Sequence, residues 1–246
     1  MGERLERGFW ARRLARDEWL GLHLSVGLLG LFLLLGLFSL LALEANGRQP
    51  PGVDEQIYER LRLHREASPV VRGLFLRITD LGGLSFLTGL VLIVAALLAW
   101  RRRSGLALVW VLAVFLGLQL NSRAKGLFER ARPSGIDAQI HEPSYSFPSG
   151  HSMEAMIAYG MLGYLSLVML PPRRWVRFTA IAVVVLLIVA IGFSRMYLSA
   201  HWFTDVLGGF TLGAAWLVLC ITVLECERRR SRASLARLTS ISKSEA

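Results

Sequence analysis

The apolar residues of this chain fall in long blocks, separated by short segments that concentrate most of the charge. Blocks of this kind suit a helix crossing about 30 Å of hydrocarbon, which takes roughly 20 residues, rather than the narrow stripe of a soluble amphipathic helix. The pattern predicts six spans, at about Leu20–Leu43, Ile78–Trp100, Leu106–Leu120, Met153–Leu170, Phe178–Phe193 and Trp202–Leu224. The first is longer than the ~7–15 apolar residues of a cleavable signal sequence, so it reads as a retained helix. Between the first two, residues Glu44–Arg77 intersperse Ile57, Leu61 and Leu63 with charges around Pro50, Pro51 and Pro69. That pattern predicts a helix lying along the membrane interface. The expected fold is all-α: a polytopic membrane bundle of six transmembrane helices with an interfacial helix in the first outer loop. The membrane domain would cover 19–226, between a basic segment 1–18 and a basic, Ser-rich tail 227–246 whose composition predicts disorder.

Composition supports this reading. The chain of 246 residues is 54% hydrophobic and 19% charged, against about 25% charged in an ordinary soluble domain. Its net charge is +10, from 28 Lys+Arg and 18 Asp+Glu. The positive charge sits at the ends of the apolar blocks, in the signature of membrane orientation, and no nucleic-acid-reading motif accompanies it. Anionic lipid headgroups, not nucleic acid, are the expected electrostatic partners. Basic clusters occupy the N-terminus (Arg4, Arg7, Arg12, Arg13, Arg16), the turn at Arg101–Arg103, the turn with Arg173, Arg174 and Arg177, and the tail from Arg228. Six spans put these clusters on one side, so both termini are expected in the cytoplasm and the loops after spans one, three and five outside. Cys220 and Cys226 would lie on different faces of one helix, which excludes a disulfide framework or a cysteine zinc site.

One basic group breaks the charge rule: Arg123, Lys125, Arg130 and Arg132 follow span three, on the outer side. Arg123 and Arg130 read most simply as headgroup anchors. Lys125 and Arg132 gain meaning from the next two outer elements. Pro148-Ser149-Gly150-His151 leads directly into span four, so Ser149 and Gly150 would present a hydroxyl and free backbone N–H groups to an anion at a helix N-terminus. The plainer alternative is a serine N-cap followed by a turn glycine. Ser194-Arg195, His201 and Asp205 form the third element. His201 and Asp205 are spaced i, i+4, so on one helix face the carboxylate would accept a hydrogen bond from the ring and support its positive charge. A structural alternative has Asp205 serving the helix N-terminus alone.

Lys125-x6-Arg132-Pro133, Pro148-Ser149-Gly150-His151 and Ser194-Arg195-x5-His201-x3-Asp205 together resemble the three-part signature of the type-2 phosphatidic acid phosphatase superfamily. The superfamily includes glucose-6-phosphatase and the vanadium haloperoxidases. The six-span layout is similar to its membrane branch of bacterial phosphatidylglycerophosphate and undecaprenyl pyrophosphate phosphatases. The resemblance implies that His201 is the nucleophile and forms a phosphohistidine, with Asp205 orienting it. His151 would be the general acid for the leaving group and then the base for water. Lys125, Arg132 and Arg195, with the Ser149 hydroxyl and the Gly150 amide, would hold the phosphoryl oxygens. It implies no cofactor and no metal, and a lipid phosphate as substrate.

Competing readings make different demands. A haloperoxidase would use the same pocket for vanadate, but those relatives are typically soluble. A transporter would carry its charges at mid-bilayer, often in repeated halves, and no repeat is visible here. A non-catalytic lipid binder would need the cations without the two histidines and the aspartate. The expected product is therefore inorganic phosphate, released outside a bacterial plasma membrane from a polyprenyl pyrophosphate, phosphatidylglycerophosphate, phosphatidate or lipid A phosphate.

Overall fold

The structure, a computed structural model, describes residues 19–46, 50, 52–135, 137, 140, 143–171 and 173–244. The basic segment 1–18 lies outside the described residues, as do the side chains of the tail beyond Arg228. Eight helices account for the described fold: α1 (Trp19–Ala45), α2 (Gly52–Ala67), α3 (Pro69–Asp80), α4 (Leu84–Trp100), α5 (Ser104–Phe128), α6 (Gly150–Met169), α7 (Arg174–Tyr197) and α8 (Phe203–Ser244). The described chain is all-helical, as the block pattern predicts.

Five of these helices are long and apolar enough to cross a membrane alone, with windows at Leu24–Ala45, Ser104–Phe128, Gly150–Met169, Arg174–Tyr197 and Phe203–Arg228. The sixth candidate is a bent pair. α3 and α4 meet at 45° across a break of three residues, Leu81, Gly82 and Gly83. The predicted span from Ile78 therefore starts late: Ile78 belongs to α3, and the straight helix begins at Leu84. Gly83 is the N-cap of α4, with extended backbone that ends the preceding turn. The segment between the first two predicted spans likewise holds two helices where one was expected, because Pro69 starts a new helix after Ser68. The helical backbone of α8 runs on from the span to Ser244. At 42 residues it is about 63 Å long.

The bundle is organised around α6 and α8. Half of the apolar window of α6 is buried within the protein, against 11% for α1. α8 packs on both α1 and α6, α6 also on α5 and α7, and α3 on α7. Trp110, Met153, Ile157, Met161 and Ile191 are essentially inaccessible in the shared core. Phe32, Leu33, Leu40, Leu92 and Leu186 point outward instead. Large exposed apolar side chains on this scale suit hydrocarbon as the surrounding solvent.

Small residues set the closest approach. A Cβ at Gly209 on α8 would lie 2.5 Å from the backbone oxygen of Ser149, and one at Gly213 would lie 2.8 Å from that of Met153. This Gly-x3-Gly edge lets α8 press backbone against backbone on the first turn of α6. It fixes where the Pro148–His151 segment sits relative to Asp205.

Candidate active site

The site forms where the ends of α5, α6, α7 and α8 meet the loops joining them. α5 is capped by Glu129, whose left-handed φ of 47° turns the chain out of the helix. That turn sends Arg130 and Arg132 back over the bundle end. Arg132 is fixed by several acceptors at once: Nε donates to Ser144 O at 2.8 Å, Nη1 to Ala200 O at 2.7 Å and Nη2 to Tyr145 O at 3.1 Å. Lys125 reaches the same segment, donating to Ser144 Oγ at 3.0 Å and Tyr145 O at 2.9 Å. The 143–149 loop is tied at its other end too, where Ser149 N donates to Asp205 O at 3.0 Å.

His201 is 3% exposed. Its Nε2 lies 3.1 Å from Arg132 Nη1, and its Nδ1 lies 3.5 Å from Asp205 Oδ2. A guanidinium only donates, so Nε2 is the acceptor and Nδ1 carries the hydrogen, beside Ser146 and within 3.5 Å of the carboxylate. The two residues do not share a helix as their spacing suggests: His201 precedes α8 and Asp205 is the third residue within it. The tight helix start still converges their side chains. Burial holds the His201 pKa well below the ordinary histidine value, reinforced by the charges of Arg132, Arg195 and Lys125 and opposed by a hydrogen bond involving Ser146. The ring is therefore neutral, with the electron pair of Nε2 accepting from Arg132.

Asp205 serves both readings that the sequence leaves open. Its Oδ2 accepts the Trp202 backbone N–H at 2.9 Å, as the third residue of a capped helix does. The same oxygen accepts a short hydrogen bond from Ser146 Oγ and faces His201. Its Oδ1 accepts from Arg130 Nη1 at 2.6 Å.

The remaining predicted residues gather around this core. Arg195 is 1% exposed and donates to Thr79 Oγ1 at 2.7 Å, which anchors it to α3. His151 stands in the first turn of α6, within electrostatic range of Arg195, His201, Lys125 and Arg132. Its Cδ2 lies 3.3 Å from where a Cβ at Gly82 would stand, so the α3–α4 break makes room for the ring. Ser149 is the N-cap of α6 by position, yet its hydroxyl caps no helix amide; it accepts from Ser152 Oγ at 2.9 Å instead. The plain N-cap alternative thus fails, and the first-turn amides near Gly150 are not served by that side chain. Lys125, Arg132 and Arg195 together set three positive charges about one neutral imidazole, an arrangement matched to a phosphate dianion.

Sequence reasoning missed Ser146 and two charged members, Arg130 and Asp54. Arg130, read as a headgroup anchor, is 7% exposed and bridges Asp205 to Asp54 of α2, which is fully buried. Its only signal was its place two residues before Arg132 in the same cluster. Arg123 is exposed and keeps the surface position expected of it.

A family model described as the PAP2 superfamily matches residues 104–229. Phosphatidylglycerophosphatase B of Bacillus subtilis is 35% identical over 180 residues, which cover 73% of this chain and 87% of the relative. The chain belongs to the PAP2 superfamily. An undecaprenyl-diphosphatase of Sulfolobus acidocaldarius is 27% identical over 130 residues, covering 51% of this PAP2 chain and 58% of that one. The crystal structure of a transmembrane PAP2-type phosphatidylglycerolphosphate phosphatase from Bacillus subtilis superposes with a TM-score of 0.74 at 33% identity, over 79% of this chain and 96% of that one. The fold is that of a multi-pass membrane PAP2 protein, and the activity class is that of a phosphatase.

Proposed function

We propose that this PAP2 enzyme removes the terminal phosphate from a membrane lipid phosphate or diphosphate through a phosphohistidine on His201. The observation carrying the reading is His201 itself: a buried, neutral ring backed by Asp205, with Nε2 turned toward Arg132 at 3.1 Å. Nε2 attacks phosphorus, the bond to the leaving oxygen breaks, and His151 gives that oxygen its proton. Asp205 stabilises the charge that develops on the ring. His151 then takes a proton from water as the water attacks the phosphohistidine, releasing phosphate and restoring both histidines. Lys125, Arg132, Arg195, Ser149 and the Gly150 amide hold the phosphoryl oxygens throughout.

A lipid substrate accords with the surroundings of the site. An apolar cavity of about 160 Å³ opens between α4 and α5, lined among others by Leu84, Leu87, Val91, Phe115 and Leu118. Leu84 follows directly on the Gly82–Gly83 break beside His151, so a chain lying there would start near the site. The relatives favour phosphatidylglycerophosphate or undecaprenyl pyrophosphate as the substrate, ahead of phosphatidate or a lipid A phosphate. By the charge rule the site faces the outside of a bacterial plasma membrane, with both termini in the cytoplasm. α2 then lies along the outer interface.

Phosphate release by the purified enzyme from these four lipids, beside His201→Ala, tests the proposal. The variant should be inactive on all of them yet still bind vanadate or phosphate. Full turnover by His201→Ala would remove the nucleophile. The reaction should also survive a chelator, because His201 and the surrounding cations would supply the nucleophile and the charge without a metal. Halide oxidation in the presence of vanadate would point to the haloperoxidase chemistry instead.

A further inference from the structure

Asp54 sits in the first turn of α2, remote in sequence from every element of the signature. An acidic residue there ordinarily faces water and favours its own helix dipole. Asp54 is instead completely buried, and both of its oxygens are engaged elsewhere. Oδ1 accepts the backbone N–H of Thr204 at 2.9 Å. Oδ2 accepts from Thr204 Oγ1 at 2.7 Å and from Arg130 Nη2 at 2.8 Å. The other arm of Arg130, Nη1, donates to Asp205 Oδ1 at 2.6 Å and to Thr204 Oγ1 at 2.7 Å. Two buried carboxylates thus share one guanidinium.

A structural staple would need only one of those carboxylates. Burying the second adds a desolvation cost and leaves the trio with net negative charge. That excess lies on the side of His201, the ring that must become positive when Nε2 attacks. Were Arg130 to serve Asp205 alone, it would neutralise the carboxylate just when the imidazole needs it. Asp54 draws half of the guanidinium away and leaves Asp205 with charge to spend on His201.

We propose that Asp54 is a positioning residue of the catalytic apparatus, acting through Arg130 and Thr204 on Asp205 and so on the basicity of His201. The proposal rests on the nucleophile assignment made above. It makes α2 part of the reaction machinery, although the family match begins only at residue 104.

The pH profile of kcat/KM separates positioning from scaffolding. The groups facing His201 are Arg132 and Lys125 from α5 and the segment after it, Arg195 from α7, His151 from α6 and Asp205 from α8. All are retained in Asp54→Asn, which removes one buried negative charge at nearly constant shape. Its acidic limb should move to lower pH by roughly half a unit to one unit, because the imidazolium loses support. Its maximal kcat should fall about 10-fold or more, as the attacking ring can carry less charge. Asp54→Glu keeps the charge and disturbs only the fit, so kcat should fall while the limb stays at the wild-type pH. A folded Asp54→Asn enzyme with an unmoved limb would overturn the proposal. If Asp54→Asn does not fold, a limb displaced in Asp54→Glu would overturn it equally. Failure of the nucleophile assignment would show separately, as activity remaining in His201→Ala.

Discussion

Arg132 Nη1 meets His201 Nε2 at 3.1 Å, so the nitrogen that would attack phosphorus is already turned toward the cation that would receive a phosphoryl oxygen. A phosphate entering this space exchanges one hydrogen bond for another, with little reorganisation of the protein. Arg132 is held in place for this by Ser144, Tyr145 and Ala200. Preorganisation of that kind is where electrostatic catalysis gains most.

The same contact sets a pH dependence. Burial first, then Arg132, Arg195 and Lys125, depress the His201 pKa well below its ordinary value. Only the neutral ring attacks, and a depressed pKa keeps it neutral to lower pH. The acidic limb of kcat/KM, which reports the free enzyme, should therefore lie below the histidine reference of about 6.5. Initial rates with a soluble short-chain lipid phosphate, measured over a pH series, check this. A limb above that reference would show that His201 is less buried or less surrounded by charge than the structure has it.

Arg130 and Arg123 give a matched pair for mutagenesis. Arg130 is buried between Asp54 and Asp205, whereas Arg123 is exposed. Arg130→Gln leaves two buried carboxylates facing one another and should cost about 3–5 kcal/mol of stability, with loss of activity. Arg123→Gln should stay within about 0.5 kcal/mol of the parent. Thermal unfolding in detergent and phosphate release measure both. Similar behaviour of the two variants would restore the reading of Arg130 as a headgroup anchor.

These two arginines also mark the limit of what the sequence discloses. Long apolar blocks gave the helical spans because the bilayer demands one geometry of any unbroken apolar stretch. The signature residues were readable because phosphate chemistry asks for recognisable side chains at fixed spacing. Arg130 and Asp54 escaped, since a buried ion pair between distant segments has no local pattern; each residue alone looks like surface charge. The α3–α4 bend escaped for a related reason. Gly82 and Gly83 lie within a single predicted span, and only the fold shows Gly82 standing against His151 and Ile191.

Gly209 tests how closely the fold and the site are coupled. An added methyl would stand 2.5 Å from Ser149 O and 2.9 Å from Ser152 Cβ, and the first of these is backbone that cannot rotate aside. Gly209→Ala should therefore destabilise the protein by about 1–3 kcal/mol through overpacking. Activity should fall further than stability explains, because the displaced segment carries Ser149, Gly150 and His151. A melting curve and kcat at a temperature where the variant is fully folded separate the two effects. Gly30, which has open space around its Cβ direction, is the control: Gly30→Ala should be neutral or slightly stabilising.

The acid role assigned to His151 predicts a dependence on the leaving group. When a phosphate monoester is cleaved, the departing alkoxide is strongly basic and needs a proton as the bond breaks. When a diphosphate is cleaved, the departing group is itself a phosphate and leaves without much help. General acid catalysis typically contributes about 10²–10⁴-fold, and His151→Ala should lose most of that with a monoester. With a polyprenyl diphosphate the loss in kcat/KM should be at least about 10-fold smaller. The comparison belongs in kcat/KM because that quantity ends at departure of the leaving group, before His151 acts on water. The ring stands in the first turn of α6, against the break at Gly82. Equal losses with both substrates would deny His151 the proton transfer and leave it as one more group shaping the pocket.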